Sequence, residues 1–173
     1  MSLLAVAFPH IEKKDFDWIQ SIRESQDERY FRIINPHFTI VFPTEIIDEK
    51  TFVKHVKTVA KKFKEYYFVL RCAQIVKDSF SDYTDLFLVP EEGYRIFVKL
   101  HDAMYTGPLS KELRLDIPFI PHIGIAGNKD PFRCKIIADQ INKDNIEIVG
   151  SVGELSILSY DNKSITTIEK IVL

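Results

Sequence analysis

The period of the hydrophobic positions changes repeatedly along this chain, and each change marks an element. The opening run "LLAVAF" at 3 to 8 has no positive charge before it and gives way at once to "PHIEKKD". It reads as a buried strand, too short for the core of a secretory leader. From Asp15, placed as an N-cap, Trp18, Ile19 and Ile22 share one stripe of a helix running to about residue 26. "HFTIVF" at 37 to 42 switches to a strand's period of two. Asp48 then precedes a helical pattern of Phe52, Val56, Val59 and Phe63, with Lys54, Lys57, Lys61, Lys62 and Lys64 on a solvated face. The aromatic and β-branched runs "YYFVLRCAQIV" and "YTDLFLV" read as strands on either side of the turn-like "KDSFSD".

The second half replays this order. "EEGYRIFVKLHDAMY" forms an amphipathic helix, "PHIGIA" at 121 to 126 a short strand, and Asp130-Pro131 caps a helix through Ile136, Ile137 and Ile141. Two strands close the chain, "IEIVGSVGELSILSY" and "SITTIEKIVL", joined by a turn at Asp161-Asn162-Lys163. Each half thus runs helix, histidine strand, helix, strand. The expected architecture is a single α+β domain over residues 1–173, built of two similar, pseudo-repeated lobes. Their mainly antiparallel sheets face one another across a central cleft, with helices outside. Residues 106 to 121 fit no period and carry three prolines, so they are expected to form a mobile flap over that cleft.

Composition narrows the function without choosing it. With 46% hydrophobic and 28% charged residues, 173 residues suffice for a sizeable core. A formal net charge of −2 argues against gripping duplex DNA, and no segment has the roughly 18 uninterrupted apolar residues of a membrane span. Cys72 and Cys134 have no metal or disulfide spacing and read as reduced structural residues of a cytoplasmic protein. No phosphate-binding glycine loop or serine-nucleophile elbow occurs, no cofactor or metal is called for, and nothing argues for more than a monomer.

The candidate chemistry lies in two matched segments, Pro36-His37-Phe38-Thr39-Ile40-Val41 and Pro121-His122-Ile123-Gly124-Ile125-Ala126. Strand parity buries Phe38, Ile40, Ile123 and Ile125. It turns His37, Thr39 and Val41, and likewise His122, Gly124 and Ala126, to the other face; Phe42 beyond the motif is expected in the core. A lone histidine in an apolar strand is usually structural. Two facing imidazoles can serve as base and acid near neutral pH, taking a proton from water and giving one to a leaving alkoxide, as phosphodiester cleavage requires. The Thr39 hydroxyl and backbone N–H groups beside Gly124 could hold phosphate oxygens. Tyr160 is a candidate for stacking on a base, and Arg114 and Lys111 in the flap for approaching a phosphate. His10 and His55 read as surface or helix-edge residues, and His101 lies on the third helix beside Asp102.

"HFTI" and "HIGI" resemble the paired H-x-T/S-h motifs, h being apolar, of the 2H phosphoesterase superfamily, the 2′-5′ RNA ligase-like and cyclic phosphodiesterase proteins. The likeness extends over nearly the whole chain in element order and in the roughly 80-residue spacing of the motifs. It implies a cyclic phosphodiesterase acting on a 2′,3′-cyclic or related phosphate of a nucleotide or RNA end. His37 and His122 would be acid and base, with Thr39 on the phosphate. Gly124 departs from the pattern, and losing one preorganised donor costs about 2.7–4 kcal/mol of transition-state stabilisation. The alternative is therefore a catalytically impaired module that binds nucleotides or RNA ends.

Overall fold

The computed structural model describes residues 1–161 and 164–173. Strands β1 (Ser2–Ala7) and β2 (His10–Ile11) lead into helix α1 (Lys13–Gln26), then β3 (Phe38–Thr44), α2 (Glu49–Ala60), β4 (Tyr66–Lys77), β5 (Thr84–Glu92) and α3 (Tyr94–Met104). A 3₁₀ helix (Gly107–Glu112), β6 (Ile123–Asn128), α4 (Pro131–Lys143), β7 (Ile148–Val152), β8 (Glu154–Tyr160) and β9 (Ile165–Val172) complete the chain. The strands form two antiparallel sheets, a four-stranded one in the order β3-β1-β8-β9 and a five-stranded one in the order β2-β7-β4-β5-β6. The expected α+β architecture of facing antiparallel sheets is present.

Alternation decides which face of each sheet is dry. In β1, Leu3, Ala5 and Ala7 join the main core with Phe38 and Ile40 of β3, while Leu4 and Val6 point the other way and pack with Leu158 of β8. Helices α2 and α3 close the core with Phe52, Val56, Val59, Phe97, Leu100 and Met104. Asp48 caps α2 by accepting a 3.0 Å hydrogen bond from the Thr51 N–H, and Asp130 caps α4 at 2.9 Å from the Phe132 N–H.

Four expectations need correction. Helix α1 starts two residues before Asp15, with Glu12 as N-cap. Lys13 and Lys14 extend the first turn, where the Asp15 carboxylate suits the positive end of the helix dipole. The run at 146 to 160 is two strands, because the chain breaks at Gly153 and passes from the five-stranded sheet to the four-stranded one. On α4 the core takes Cys134, Ala138 and Ile141, leaving Ile136 70% exposed. The flap is in part structured: its first half is the 3₁₀ helix, anchored by Leu109, which is completely buried, and by Glu112, which accepts a 2.6 Å hydrogen bond from Thr44. The proposed turn at 162 and 163 lies outside the described residues.

Residues 113 to 122 have no regular structure. Amide exchange should therefore split the segment, with slow exchange at Leu109, whose N–H bonds Thr106, and fast exchange over 113 to 118. Protection of 113 to 118 equal to that of β6 would remove the case for a mobile flap.

Candidate active site

His37 and His122 stand immediately before β3 and β6, each preceded by a buried proline, and both line one cleft of about 450 Å³. The four-stranded sheet contributes Leu4, Thr39, Tyr160 and Ile165 to its lining, and the five-stranded sheet Asp85, Phe87, Gly124 and Ala126. Tyr30 and Phe80 reach it from loops.

The two rings are fixed in the same way. His37 Nδ1 lies 2.8 Å from the Asn35 carbonyl and His122 Nδ1 2.5 Å from the Ile120 carbonyl, each two residues upstream. A carbonyl only accepts, so Nδ1 carries the hydrogen in both rings, leaving Nε2 of the neutral imidazole as the basic nitrogen. His122 also stacks on Phe87, centroids 3.5 Å apart and planes 11° from parallel, while His37 meets Phe8 edge-on at 6.2 Å. Burial pushes both imidazoles from 6.5 down to about 4; the carbonyl bonds oppose this, and repulsion from His122 and then Arg23 adds to it at His37. Both rings remain partly open to the cleft. In the ligand-free protein they are a neutral pair at neutral pH.

Parity placed Thr39 and Gly124 correctly but failed at Phe42. One β1 step, from Ala5 to Val6, is matched by two β3 steps, from Val41 to Thr39, which makes a β-bulge at Ile40. The extra residue turns Val41 into the core, fully buried, and sends Phe42 out to the cleft. β6 has the same irregularity at Ile125, where Leu86 to Phe87 on β5 spans Ala126 to Gly124. Each bulge falls on the third residue after its histidine. The Thr39 hydroxyl has no protein partner among the described residues, and a Cβ built on Gly124 would meet no atom within 4 Å.

Tyr160 lines the cleft as expected, but Arg114 and Lys111 are not among its lining residues. Arg114 is held by Asp116 at 2.6 Å and lies over the Phe80 ring at 5.2 Å, at the rim. Lys111 is exposed on the 3₁₀ helix. The sequence reading missed the lining cations, which are all engaged. Arg23, 2% exposed, pairs with Asp27 at 3.2 Å and donates to the Ile34 carbonyl at 2.7 Å. Arg29 bonds Asp78 at 2.9 Å and also Asp85, and Lys77 donates to the Ser81 and Tyr83 carbonyls. The i, i+4 spacing of Arg23 and Asp27, and the shared strand face of Asp85 and Phe87, were signals in the sequence. Among the described residues no three His, Cys, Asp or Glu side chains group closely enough to hold a metal ion.

A family model for the 2′-5′ RNA ligase superfamily matches residues 9–164. The chain belongs to this superfamily. Its fold is also that of several solved structures. An apo structure of Escherichia coli LigT has a TM-score of 0.56 at 14% identity, covering 99% of this chain and 96% of that one. Kluyveromyces marxianus Usb1 with uridine monophosphate gives 0.56 at 9% identity, covering 96% and 97%. A structure described only as a phosphoesterase gives 0.58 at 15% identity, covering 99% and 98%. LigT has also been solved with 3′-AMP, ATP and phosphate. No curated protein matches the chain by sequence. Among the described residues no helix is long and apolar enough to cross a membrane.

Titrating the imidazole resonances of the free protein should give midpoints below 6.5 for His37 and His122, and adding inorganic phosphate should raise at least one. Between about 4 and 6.5 the unfolded chain binds more protons than the folded one, so stability should fall as pH drops through that window. A His37→Gln/His122→Gln variant should lose stability less steeply there. Midpoints at 6.5 with no pH slope would contradict this account of the cleft.

Proposed function

We propose that the cleft hydrolyses a 2′,3′-cyclic or related cyclic phosphate of a nucleotide or RNA end, with His37 and His122 as its acid and base. The observation that carries this reading is the matched pair of rings in one cleft, each with Nδ1 bound to a backbone carbonyl and Nε2 left for chemistry. Water attacks phosphorus as the bond to the departing ribose oxygen breaks. One neutral imidazole takes the water proton at Nε2, and the other, protonated, gives its Nε2 proton to the departing oxygen. A bound phosphate anion offsets the burial penalty and favours the singly protonated pair. Thr39 donates to a non-bridging oxygen, and the open space at Gly124 admits solvent to the opposite side.

Phe42, Phe87, Tyr30, Phe80 and Tyr160 give the lining the aromatic faces a base stacks on. The nucleotide complexes of LigT and Usb1 support a ligand of this class. Gly124 favours the second reading, a module that binds such ligands without turnover, because the second motif lacks its hydroxyl.

The deciding experiment measures turnover of 2′,3′-cyclic nucleotides and cyclic-phosphate-ended RNA with chelator present. His37→Ala and His122→Ala should each lose at least about 100-fold. Full activity in either would rule the mechanism out. Gly124→Thr should fold normally and turn over faster; nucleotide binding without turnover in all variants would establish the binding module. Since the lining cations are already paired, log KM for a cyclic-phosphate-ended RNA should rise with log salt with a slope of no more than about 0.7, that of one phosphate contact on a single strand. A slope several times larger would mean that the protein tracks an RNA backbone.

A further inference from the structure

One ionisable group beside the cleft has no part in this mechanism. His101 lies in the apolar stripe of α3 with Phe97, Leu100 and Met104, and is 4% exposed. Its Nδ1 is 2.9 Å from the Ile40 carbonyl, which only accepts, so His101 donates. Ile40 is the bulge residue of the His37 strand. The same imidazole lies flat on Phe119, centroids 3.6 Å apart and planes 9° from parallel. Phe119 directly precedes Ile120, whose carbonyl fixes the His122 ring. A second arm comes from Tyr105, at the end of α3: its hydroxyl accepts the Phe42 N–H at 2.9 Å, just past the bulge, and its ring contacts His101 at 4.7 Å.

We propose that His101 is a positioning residue that couples the two motifs, with Tyr105 as its partner. It holds the bulged backbone that aims Thr39 and, through Phe119, the segment that seats His122. A buried histidine filling space would need neither contact in particular. This one joins a hydrogen bond to the first motif with a ring stack on the approach to the second. The relative placement of His37 and His122 then depends on a side chain that touches neither ring. The proposal rests on the reading of those two histidines as a working pair.

The variants separate the two contacts. His101→Phe keeps the ring stack but removes the donor to Ile40; His101→Asn keeps a donor at the Nδ1 position; Tyr105→Phe removes only the hydroxyl. In the folded proteins, kcat and KM for a 2′,3′-cyclic nucleotide are measured alongside the imidazole resonances of His37 and His122 with and without inorganic phosphate. His101→Phe is expected to lower kcat at least tenfold with KM within threefold, and to shift both imidazole resonances. His101→Asn should recover part of kcat, and Tyr105→Phe should give a smaller fall of the same kind. Unchanged kcat and unmoved resonances in folded His101→Phe or, should that variant not fold, in Tyr105→Phe would overturn the coupling. If the parent protein turns over no substrate, the hydrolase reading fails, and the resonances alone decide: loss of the phosphate response at both histidines supports the coupling, and its retention overturns it.

Discussion

The cleft depends on how two open sheet edges are covered. β3 and β6, which follow the two histidines, are edge strands of their sheets. An edge strand presents backbone N–H and C=O groups that must find partners or they invite further pairing. Each edge is covered by a helix from beside the other motif. α3 precedes β6 in the chain but packs on β3, where His101 and Tyr105 take up the Ile40 carbonyl and the Phe42 N–H. α1 precedes β3 but packs on β6, and its C-terminal Asp27 makes a parallel bridge to Gly127. Each motif strand is therefore completed in part by the helix that precedes the other motif, and the two walls of the cleft are held by the same contacts that finish the sheets.

The bulges extend this constraint to the side chains. A strand of strict period two would keep Thr39 and Val41 on one face, yet Val41 is needed in the core beside Ala5, its partner on β1. One extra residue at Ile40 meets both demands, burying Ile40 and Val41 in succession and freeing Phe42 for the cleft. At Ile125 the same device buries Ile125 and Ala126 in succession, and Ala126 still borders the cleft beside Gly124. The motif strands thus correspond in backbone geometry even where their residues differ, at Thr39 and Gly124.

How much of this was legible follows from the range of each signal. Alternation within four or five residues set Phe38 and Ile40 against Thr39, and Ile123 and Ile125 against Gly124, because it reads a single strand. Local cap chemistry found Asp130 but misassigned Asp15, which lies inside the first turn of α1. Phe42 was misplaced because a bulge is a property of a strand pair, invisible until β1 is set beside β3. The break at Gly153 was missed for a related reason: a run that is apolar on both sides looks alike whether it stays in one sheet or crosses to the next. Arg23 escaped notice because a charge on a helix is usually solvated, and only the fold shows that Asp27 and the Ile34 carbonyl make its burial tolerable. Arg114 and Lys111 were judged by their nearness to His122 in sequence, but the 3₁₀ helix and the Arg114–Asp116 pair engage that segment away from the lining.

The charge balance of the cleft is itself an argument about chemistry. Its lining holds Arg23, Arg29 and Lys77 against Asp27, Asp78 and Asp85, with both arginines bound to aspartates. Such pairs stiffen the walls without creating a strong positive field, because each partner largely cancels the other at a distance. An anion entering this space meets two neutral imidazoles, one threonine hydroxyl and aromatic surface. Unpaired arginines would add to the repulsion that Arg23, even beside Asp27, already exerts on a proton at His37. With the arginines paired, the strongest new charge in the cleft would be the ligand's own, and on the proposed mechanism its arrival favours the singly protonated pair.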